Sequence, residues 1–475
     1  MPMRFAHPMR AFAIAIFGFL VTLWNLGTPS LWQDEAATIA ASNRPISSLL
    51  KMLTNIDAVH SLYYGIMHFW GGAFGFSPFG VRFPSALAVA FSAYLLYFLA
   101  LKLTSKSSVA IWSALVFIAL PRTQLSGVEA RSNALTATVA IALTLVFVWV
   151  LENPKSWRRW IAYLMFATLS INLFMFSGLI FLAFAAYLVF QNRGALRSFI
   201  LATALALVLA APVLIYGFKE KAQVGWITAK PIYQYLWEAV IAVDFGRAWP
   251  MAILGVLLAS FAVFKRASVL VLCWAVLPSL VLVLVSVIWQ PYFVDHYLTF
   301  TTPATAVLVA IGISEIRWPK PSPRRGAALQ LLVGALLLAL SVPSFVASRD
   351  PAAKGTEWAS IAQVINANSK PGDSILLPDA TSKSSRVLDQ IIVAYAPDFV
   401  GRIDLTLVER PEATRRLFGK RILERNAPEP GSGRVVLVED PTASSQRPSW
   451  LGRDFTAGRV INFATAIVRL FDRKK

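Results

Sequence analysis

The chain has 475 residues, of which 57% are hydrophobic and 15% are charged, and its formal net charge is +19. A soluble domain holds about 45–50% apolar and about 25% charged residues, so this composition excludes an ordinary soluble protein and indicates an integral membrane protein. The single cysteine, Cys273, excludes an intrachain disulfide bond and a metal site built from cysteines.

Apolar runs without Asp, Glu, Lys or Arg recur from residue 11 to residue 345, and most approach the about 20 residues that a spanning helix needs. They cover 11–27, 83–101, 107–121, 132–151, 160–190, 198–216, 248–264, 267–289, 297–314 and 327–345. Basic residues flank the long run 160–190 on both sides, so we expect two short helices that turn near 171–177. The pattern predicts an all-α polytopic membrane protein with about eleven spans, its N-terminus cytoplasmic and its C-terminus outside.

Most of the positive charge lies on the segments predicted to be cytoplasmic. These segments carry fifteen basic residues and two acidic ones, Glu152 and Glu315, a balance of +13. This bias is typical of a multi-pass plasma-membrane protein and leaves little charge for binding nucleic acid. The basic residues are Arg4, Arg10, Lys102, Lys106, Lys155, Arg158, Arg159, Arg193, Arg197, Lys265, Arg266, Arg317, Lys320, Arg324 and Arg325.

A long outer segment, 28–82, follows the first predicted span and begins with two adjacent carboxylates, Asp34 and Glu35. Acids this close to hydrocarbon are costly, which favours a functional site. The alternative is a helix N-terminus, where the helix dipole stabilises acids. The rest of the segment is apolar and aromatic, so we expect interfacial helices along the outer leaflet. Four aromatic residues are expected at headgroup depth: Trp32, Tyr63, Tyr64 and Trp70.

Acids, histidines and arginines gather on the predicted outer face. Arginine suits phosphate because its guanidinium is always charged and can bind two oxygens at once. A carboxylate can act as a general base that deprotonates a hydroxyl. Structural alternatives remain for several of them: Arg82 as an interfacial anchor, Arg131 as an ion-pair partner of Glu129, and His60 as a packed histidine. The polar residues of this face are Asp34, Glu35, Asp57, His60, Arg82, Glu129, Arg131, Asp295 and His296.

The composition changes to that of a soluble domain near residue 348. A helical pattern runs from Trp358 to Ile365, and strand-like runs follow at 375–377, 403–408 and 434–439. This alternation predicts a small extracytoplasmic α/β domain. The predicted domains are therefore 1–347, which spans the membrane, and 348–475.

Three stretches together resemble one family: Leu31-Trp32-Gln33-Asp34-Glu35-Ala36, Asp57-Ala-Val-His60-Ser-Leu-Tyr63-Tyr64 and Phe79-Gly-Val-Arg82-Phe-Pro84-Ser85. They are similar to the polyprenol-phosphate-sugar-dependent glycosyltransferases of the C-type membrane fold. These are the relatives of the protein O-mannosyltransferases (glycosyltransferase 39-like) and the lipid A aminoarabinose transferase. Glu129-Ala130-Arg131 resembles the second outer-loop motif of that family. The resemblance is clear over residues 20–135 and looser to about 345.

The resemblance implies roles for individual residues. Asp34 would deprotonate the acceptor hydroxyl, Arg131 would hold the donor phosphate, and Glu35 would orient a neighbour or balance positive charge. The sugar would move by direct displacement with inversion. Where the family often has Arg-Tyr, this chain has His296-Tyr297, which makes Arg131 or Arg247 more necessary. The residues expected to bind substrate are Asp57, His60, Tyr63, Arg82, Glu129, Arg131, His296 and Tyr297.

The predicted function is transfer of mannose from a polyprenyl-phosphate donor to a lipid, glycan or protein acceptor in the cell envelope. The alternative donors carry arabinofuranose or aminoarabinose. No residues are assigned as metal ligands. The requirement for a divalent cation is left undecided, because some members of the family bind one near the acid of the first outer loop and others do not. A transporter or lipid flippase is the rival class, but such proteins place ionisable groups near the bilayer midplane, whereas here they gather at one end. A non-catalytic scaffold is the third interpretation.

The charge bias and the odd number of predicted spans place the C-terminus outside the cell. Alkaline phosphatase, which works only outside the cytoplasm, should therefore be active when fused after Lys475. Activity of a cytoplasm-only reporter at the same position would refute this topology.

Overall fold

The computed structural model describes residues 3–263, 265–317, 323–378, 388–442 and 447–474, and most of them are helical. Lys320 and part of the predicted inner loop around it lie outside these ranges. In chain order the α-helices are α1 Met3–Leu23, α2 Gln33–Ser42, α3 Ile46–Leu53, α4 Ser61–Phe74, α5 Pro78–Thr104, α6 Ser107–Ala119, α7 Pro121–Gly127, α8 Asn133–Glu152, α9 Trp157–Leu173, α10 Ile180–Gln191, α11 Leu196–Leu209, α12 Ala211–Lys219, α13 Ile232–Trp237, α14 Val243–Phe245, α15 Trp249–Ser260, α16 Val269–Ile288, α17 Thr302–Glu315, α18 Pro323–Ala347, α19 Trp358–Asn368, α20 Ile391–Ala394 and α21 Ser449–Asp454. The strands are β1 Ser374–Leu376, β2 Ile403–Asp404, β3 Leu407–Glu409, β4 Lys420–Arg421, β5 Val435–Glu439, β6 Phe455–Asn462 and β7 Ile467–Arg473.

The chain divides into two compact units that do not follow the order of the sequence. The first unit comprises Met1–Leu26, Ala58–Tyr63 and Arg82–Ser348. The second comprises Gly27–Asp57, Tyr64–Val81 and Arg349–Lys475. Most of the first outer segment thus belongs to the same unit as the C-terminal region. The domain division at residue 348 was inferred from composition and stays a prediction.

The first unit is built around one apolar core of packed helices. Helix α17 lies deepest in it and packs against α6, α15 and α16. A β-carbon on Gly312 of α17 would lie 1.9 Å from the carbonyl oxygen of Leu258 in α15, so only glycine permits this close helix crossing. Small residues commonly allow such contacts between membrane helices. Many large apolar side chains on the outward faces stay exposed, as lipid-facing residues do.

Within the described ranges, six helices are long and apolar enough to span a membrane, and nine if each bent pair counts as one span. The predicted number of eleven is therefore not confirmed. The bent pairs explain part of the difference: α6 with α7 bends by 61°, and α11 with α12 bends by 59°. Pro121 and Pro212 stand at the start of the second helix of each pair, where proline interrupts the preceding hydrogen-bond ladder.

The predicted turn inside the long apolar run 160–190 is confirmed. Helix α9 ends at Leu173, a 3-10 helix covers Met175–Leu179, and α10 begins at Ile180. The hydroxyl of Ser177 donates hydrogen bonds to the carbonyls of Ser170 and Phe174, both at 2.7 Å. The same two carbonyls also accept the backbone amides of Phe174 and Ser177, so side-chain and backbone hydrogen bonds together hold the turn.

The second unit contains a five-stranded sheet with the strand order β2-β1-β5-β7-β6. Strand β1 is parallel to β2 and β5, whereas β7 is antiparallel to β5 and β6. The predicted strands at 375–377 and 434–439 correspond to β1 and β5. The run 403–408 instead divides into β2 and β3, and β3 pairs with β4 in a separate two-stranded sheet.

Strands β6 and β7 were not predicted from the sequence. Strand β6 has mostly exposed residues and lies at the edge of the sheet, so it lacks the apolar run that marks a buried strand. The observed sheet is consequently mixed rather than purely parallel.

The first outer segment packs on the C-terminal region inside the second unit. Helix α2 packs against α20. The guanidinium of Arg44, which is 1% exposed, donates hydrogen bonds to the carbonyls of Arg416 and Leu417 at 3.2 and 2.9 Å. Tyr63 and Tyr64, which were expected at headgroup depth, are both fully buried in protein, and their depth in the membrane stays a prediction. A tyrosine in a protein interior contributes packing that an interfacial position would not provide.

Candidate active site

The two adjacent carboxylates lie in the first turn of α2, after Trp32 in extended conformation. Asp34 is partly exposed, whereas Glu35 is fully buried. Adjacent residues of a helix point about 100° apart, which explains why neighbouring acids meet different surroundings. The Oε2 atom of Glu35 lies 2.8 Å from Nζ of Lys354, which is 10% exposed. Asp34 is therefore the acid that a substrate can approach.

Asp57 lies in the second unit and has a positive φ of 60°. The hydroxyl of Tyr64 donates a hydrogen bond of 2.8 Å to Oδ2 of Asp57. Positive φ is uncommon outside glycine, and aspartate tolerates it better than most residues. This geometry supports a structural role for Asp57 at the start of the turn that leads to His60.

His60 is the centre of a cationic cluster in the first unit. Its ring stacks on Phe174 with centroids 6.1 Å apart, and Tyr297 meets Phe174 edge-on at 5.4 Å. Burial, together with the positive charges of Arg131 and His296, holds the pKa of His60 well below its usual range. His60 is therefore neutral at neutral pH, between two groups that can carry positive charge. The structure brings His60, Arg131, His296 and Tyr297 together.

The 3-10 helix Ala58–His60 that carries His60 is held by the end of α12. The amide of Ala58 donates a hydrogen bond of 2.9 Å to Oε2 of Glu220. A β-carbon on Gly217 would come within 2.7 Å of Cγ1 of Val59, so the glycine permits close packing. These two contacts hold the two residues that directly precede His60.

An ion pair fixes the turn that carries His296. The guanidinium of Arg122, which is 7% exposed, lies 2.6 Å from Oδ2 of Asp295 and donates to the carbonyl of Val243 at 2.7 Å. Oδ1 of Asp295 accepts a hydrogen bond of 2.7 Å from the backbone amide of His296. The same oxygen lies 3.3 Å from Nδ1 of the His296 ring. Asp295 therefore orients the His296 ring.

Arg82 and Glu129 both lie in the first unit, and each takes part in a hydrogen bond to a backbone carbonyl. Arg82 is fully buried and donates to the carbonyl of Leu26 at 3.1 Å, at the end of the first helical segment. The backbone carbonyl of Glu129 accepts a hydrogen bond of 2.6 Å from the hydroxyl of Ser85. Oε2 of Glu129 accepts one of 3.1 Å from the side-chain amide of Asn133. The contact of Arg82 fits the structural alternative, and its role in substrate binding stays a prediction.

The sequence-predicted site residues divide between the two units. Asp34, Glu35 and Asp57 belong to the second unit, and the other seven belong to the first. Sequence reasoning missed Lys354, Glu220 and Arg122 as partners of site residues. One sequence feature could have identified Arg122: it follows the apolar run 107–121 directly at its outer end, where a charged side chain needs a partner.

Among the residues that the structure describes, no group of three or more His, Cys, Asp or Glu side chains is placed to hold a metal ion. The cationic cluster can instead receive an anion, since Arg131 and a protonated His296 both favour negative charge. The aromatic rings beside it offer an apolar wall for a prenyl chain or a sugar face.

The chain is similar in sequence and fold to several known proteins. A family model for dolichyl-phosphate-mannose-protein mannosyltransferases matches residues 66–216. The undecaprenyl phosphate-alpha-4-amino-4-deoxy-L-arabinose arabinosyl transferase 2 of Sodalis glossinidius is 26% identical over 159 residues, 30% of this chain and 28% of that protein.

Crystal structures share the fold over nearly the whole chain. ArnT from Cupriavidus metallidurans, in the apo state and bound to undecaprenyl phosphate, has TM-scores of 0.61 and 0.59 at 12% and 11% identity. Each comparison covers 96% of this chain and 97% of ArnT. An Archaeoglobus fulgidus oligosaccharyltransferase, in complex with Zn and sulfate, has a TM-score of 0.52 at 11% identity, over 89% of this chain and 67% of that one.

The chain is similar to the polyprenol-phosphate-sugar-dependent glycosyltransferases of the C-type membrane fold. The family model covers α4 to α12 in part or whole, a range that includes Arg82, Glu129 and Arg131. The match spans only 28% of the length of the curated relative. The comparisons therefore establish the C-type fold and the similarity to these proteins. The activity and the substrates of this chain are treated as proposals below.

The lowered pKa of His60 makes stability depend on pH. The folded state keeps His60 neutral, whereas the unfolded chain binds a proton below about pH 6.5, so acid favours unfolding. His60 should reduce the free energy of unfolding by up to about 1.4 kcal/mol for each pH unit below 6.5. In detergent, the melting temperature of the wild-type protein should fall between pH 7.5 and pH 5.0. The His60→Gln variant should show a smaller fall. An unchanged fall would contradict the neutral, buried state.

Proposed function

We propose that this protein is a membrane glycosyltransferase that transfers a sugar from a polyprenyl-phosphate carrier to an acceptor hydroxyl at the outer face. The observation that carries the proposal is the cationic cluster of Arg131 and His296 around the stacked ring of His60, in a chain with the C-type fold. Such a cluster suits a phosphate next to an apolar chain. ArnT, which shares the fold, was crystallised with undecaprenyl phosphate.

The chemistry needs one base and one group that stabilises the leaving phosphate. Asp34 takes the proton of the acceptor hydroxyl, and the oxygen attacks the anomeric carbon from the face opposite the phosphate. The bond between the anomeric carbon and the phosphate oxygen breaks, and its electron pair leaves with polyprenyl phosphate. Arg131 stabilises the added negative charge. The product has inverted anomeric configuration, and the proton ends on Asp34.

We propose mannose as the sugar, because the matching family model describes mannosyltransferases. The second candidate is 4-amino-4-deoxy-L-arabinose, which the name of the Sodalis glossinidius relative specifies. The two donors share the polyprenyl phosphate and differ in the sugar, and only the aminoarabinose carries a cationic amine. Direct comparison of the two donors therefore tests the sugar separately from the reaction.

The decisive experiment incubates purified protein with undecaprenyl-phosphate mannose, undecaprenyl-phosphate aminoarabinose or the arabinofuranose donor, in the presence of a total envelope extract that supplies lipid, glycan and protein acceptors. Release of undecaprenyl phosphate from one donor, together with a sugar-modified acceptor, would support the proposal. Absence of release from every donor would overturn it.

The base assignment can be tested by substituting the two adjacent acids. Asp34→Asn keeps the size of the side chain and removes its basicity, so transfer should fall by about 10²–10⁴-fold. Glu35→Gln should cost less, because Glu35 is buried away from the substrate and the amide oxygen of glutamine can still accept a hydrogen bond from Lys354. Turnover is measured by release of undecaprenyl phosphate, and expression and melting temperature serve as folding controls. If Glu35→Gln is inactive while Asp34→Asn is near normal, the two roles are reversed.

The phosphate role of Arg131 predicts a defect in binding. Arg131→Ala removes a charge-assisted contact and should weaken binding of undecaprenyl phosphate by about 1.5–3 kcal/mol. Arg193→Ala is the matched control, because Arg193 is exposed and donates to the Val189 carbonyl of the preceding helix. Equal affinities in both variants, measured with fluorescent undecaprenyl phosphate, would show that Arg131 does not bind the phosphate.

A further inference from the structure

A buried ion pair connects the catalytic helix α2 to the C-terminal part of the chain. Oε2 of Glu35 lies 2.8 Å from Nζ of Lys354, with exposures of 0% and 10%. Lys354 follows α18 in a turn that precedes Gly355, whose φ is +70°. Both residues belong to the second unit. The pair therefore ties the second residue of the Asp34-Glu35 motif to a segment more than 300 residues later in the chain.

The segment just before α2 is bound to the same region. The amide of Ser30 donates to the carbonyl of Pro351 at 2.9 Å, and the amide of Leu31 donates to the hydroxyl of Tyr395 at 2.8 Å. The hydroxyl of Thr356 donates to the carbonyl of Leu31 at 3.0 Å. Three hydrogen bonds thus fix the backbone that enters α2, and the ion pair fixes its first turn.

The consequences of this arrangement differ for the two acids. A buried carboxylate without a cation is strongly unfavourable, so the ammonium of Lys354 beside Glu35 stabilises its ionised form inside the protein. Asp34 points about 100° away and remains partly exposed. The rotation of the first turn of α2, and with it the direction of the Asp34 carboxylate, therefore depends on where Lys354 holds Glu35.

We propose that Lys354 is a positioning residue for Asp34, which neutralises Glu35 and fixes the first turn of α2. The inference rests on the proposed function, because Asp34 is the base of that reaction. Lys354 does not touch the substrate. The C-terminal region thereby takes part in building the active site instead of serving only as an attached domain.

Loss of Lys354 should affect turnover more than binding. With the donor that the wild-type protein uses, Lys354→Met should lower kcat by about 10- to 100-fold, because a small displacement of a catalytic group has effects of this size. The KM for the donor and the Kd for undecaprenyl phosphate should change by less than about threefold, since Lys354 makes no donor contact. Lys354→Arg keeps the positive charge and should retain most of kcat.

A double variant separates positioning from general damage. Glu35→Gln removes the charge that Lys354 neutralises, so Glu35→Gln/Lys354→Met should be no slower than Lys354→Met alone and should recover melting temperature. Lys420→Met is the matched control, because Lys420 forms a 3.1 Å ion pair with Glu409 in the same unit, but with both side chains about half exposed. It should have wild-type kcat.

The outcomes distinguish the two proposals. If wild-type protein is inactive with every donor, the proposed function fails, and the positioning role fails with it. If wild-type protein is active and Lys354→Met keeps its kcat, the positioning role alone is overturned. A parallel loss of kcat, donor binding and melting temperature that Glu35→Gln does not relieve would also overturn it, since that pattern shows unfolding.

Discussion

An ionised side chain can leave water only where another charge or hydrogen bonds replace the water it loses. The buried charges of this protein obey that constraint in each unit. In the first, Arg122 is paired with Asp295 at 2.6 Å. In the second, Glu35 is paired with Lys354 at 2.8 Å. Each pair lies directly beside a residue proposed for chemistry, namely His296 or Asp34. The interactions that stabilise the charges therefore also orient the neighbouring side chains.

The same constraint keeps the predicted cytoplasmic ends of the helices in contact with water. Glu315, at the end of α17, lies 3.1 Å from Lys106 and 2.9 Å from Lys265, and both lysines are about half exposed. Exposed pairs of this kind contribute little to stability, about 0–1 kcal/mol. In the predicted topology, the main effect of this positive charge is on orientation in the membrane.

The two groups of proposed site residues have opposite electrostatic character. Burial, together with the positive charges of Arg131 and His296, lowers the pKa of His60, which leaves a neutral ring in a place that favours an anion. Asp34 is partly exposed in the first turn of a helix, where the dipole stabilises its negative charge. A sugar transfer needs both environments, because a leaving phosphate gains negative charge while the acceptor oxygen loses a proton. This complementarity is the physical argument that connects the fold to the proposed reaction.

Bending of helices accounts for the difference between six and nine spans, and the short helices α9 and α10 account for the two further spans that were predicted. The runs 107–121 and 198–216 were each interpreted as one helix, but the chain bends by about 60° within both regions. Proline after a helix end, as at Pro121, permits the bend without loss of a helical hydrogen bond. Hydropathy reports how apolar a segment is and does not report its direction, so bent and straight segments look alike in the sequence.

The sequence by itself determined the membrane class, the two helices within 160–190, the helix at 358–368 and the strands β1 and β5, because these depend on local composition and periodicity. It also identified the Asp34-Glu35 motif and the family resemblance. Only the tertiary structure decided that Glu35 is buried against Lys354, that Asp295 pairs with Arg122, and that the first outer segment packs on the C-terminal region. These contacts join residues distant in the chain, and no local pattern encodes which distant partner a charge will meet. The edge strand β6 was missed for a related reason, since its mostly exposed residues are held in a strand by pairing with β7.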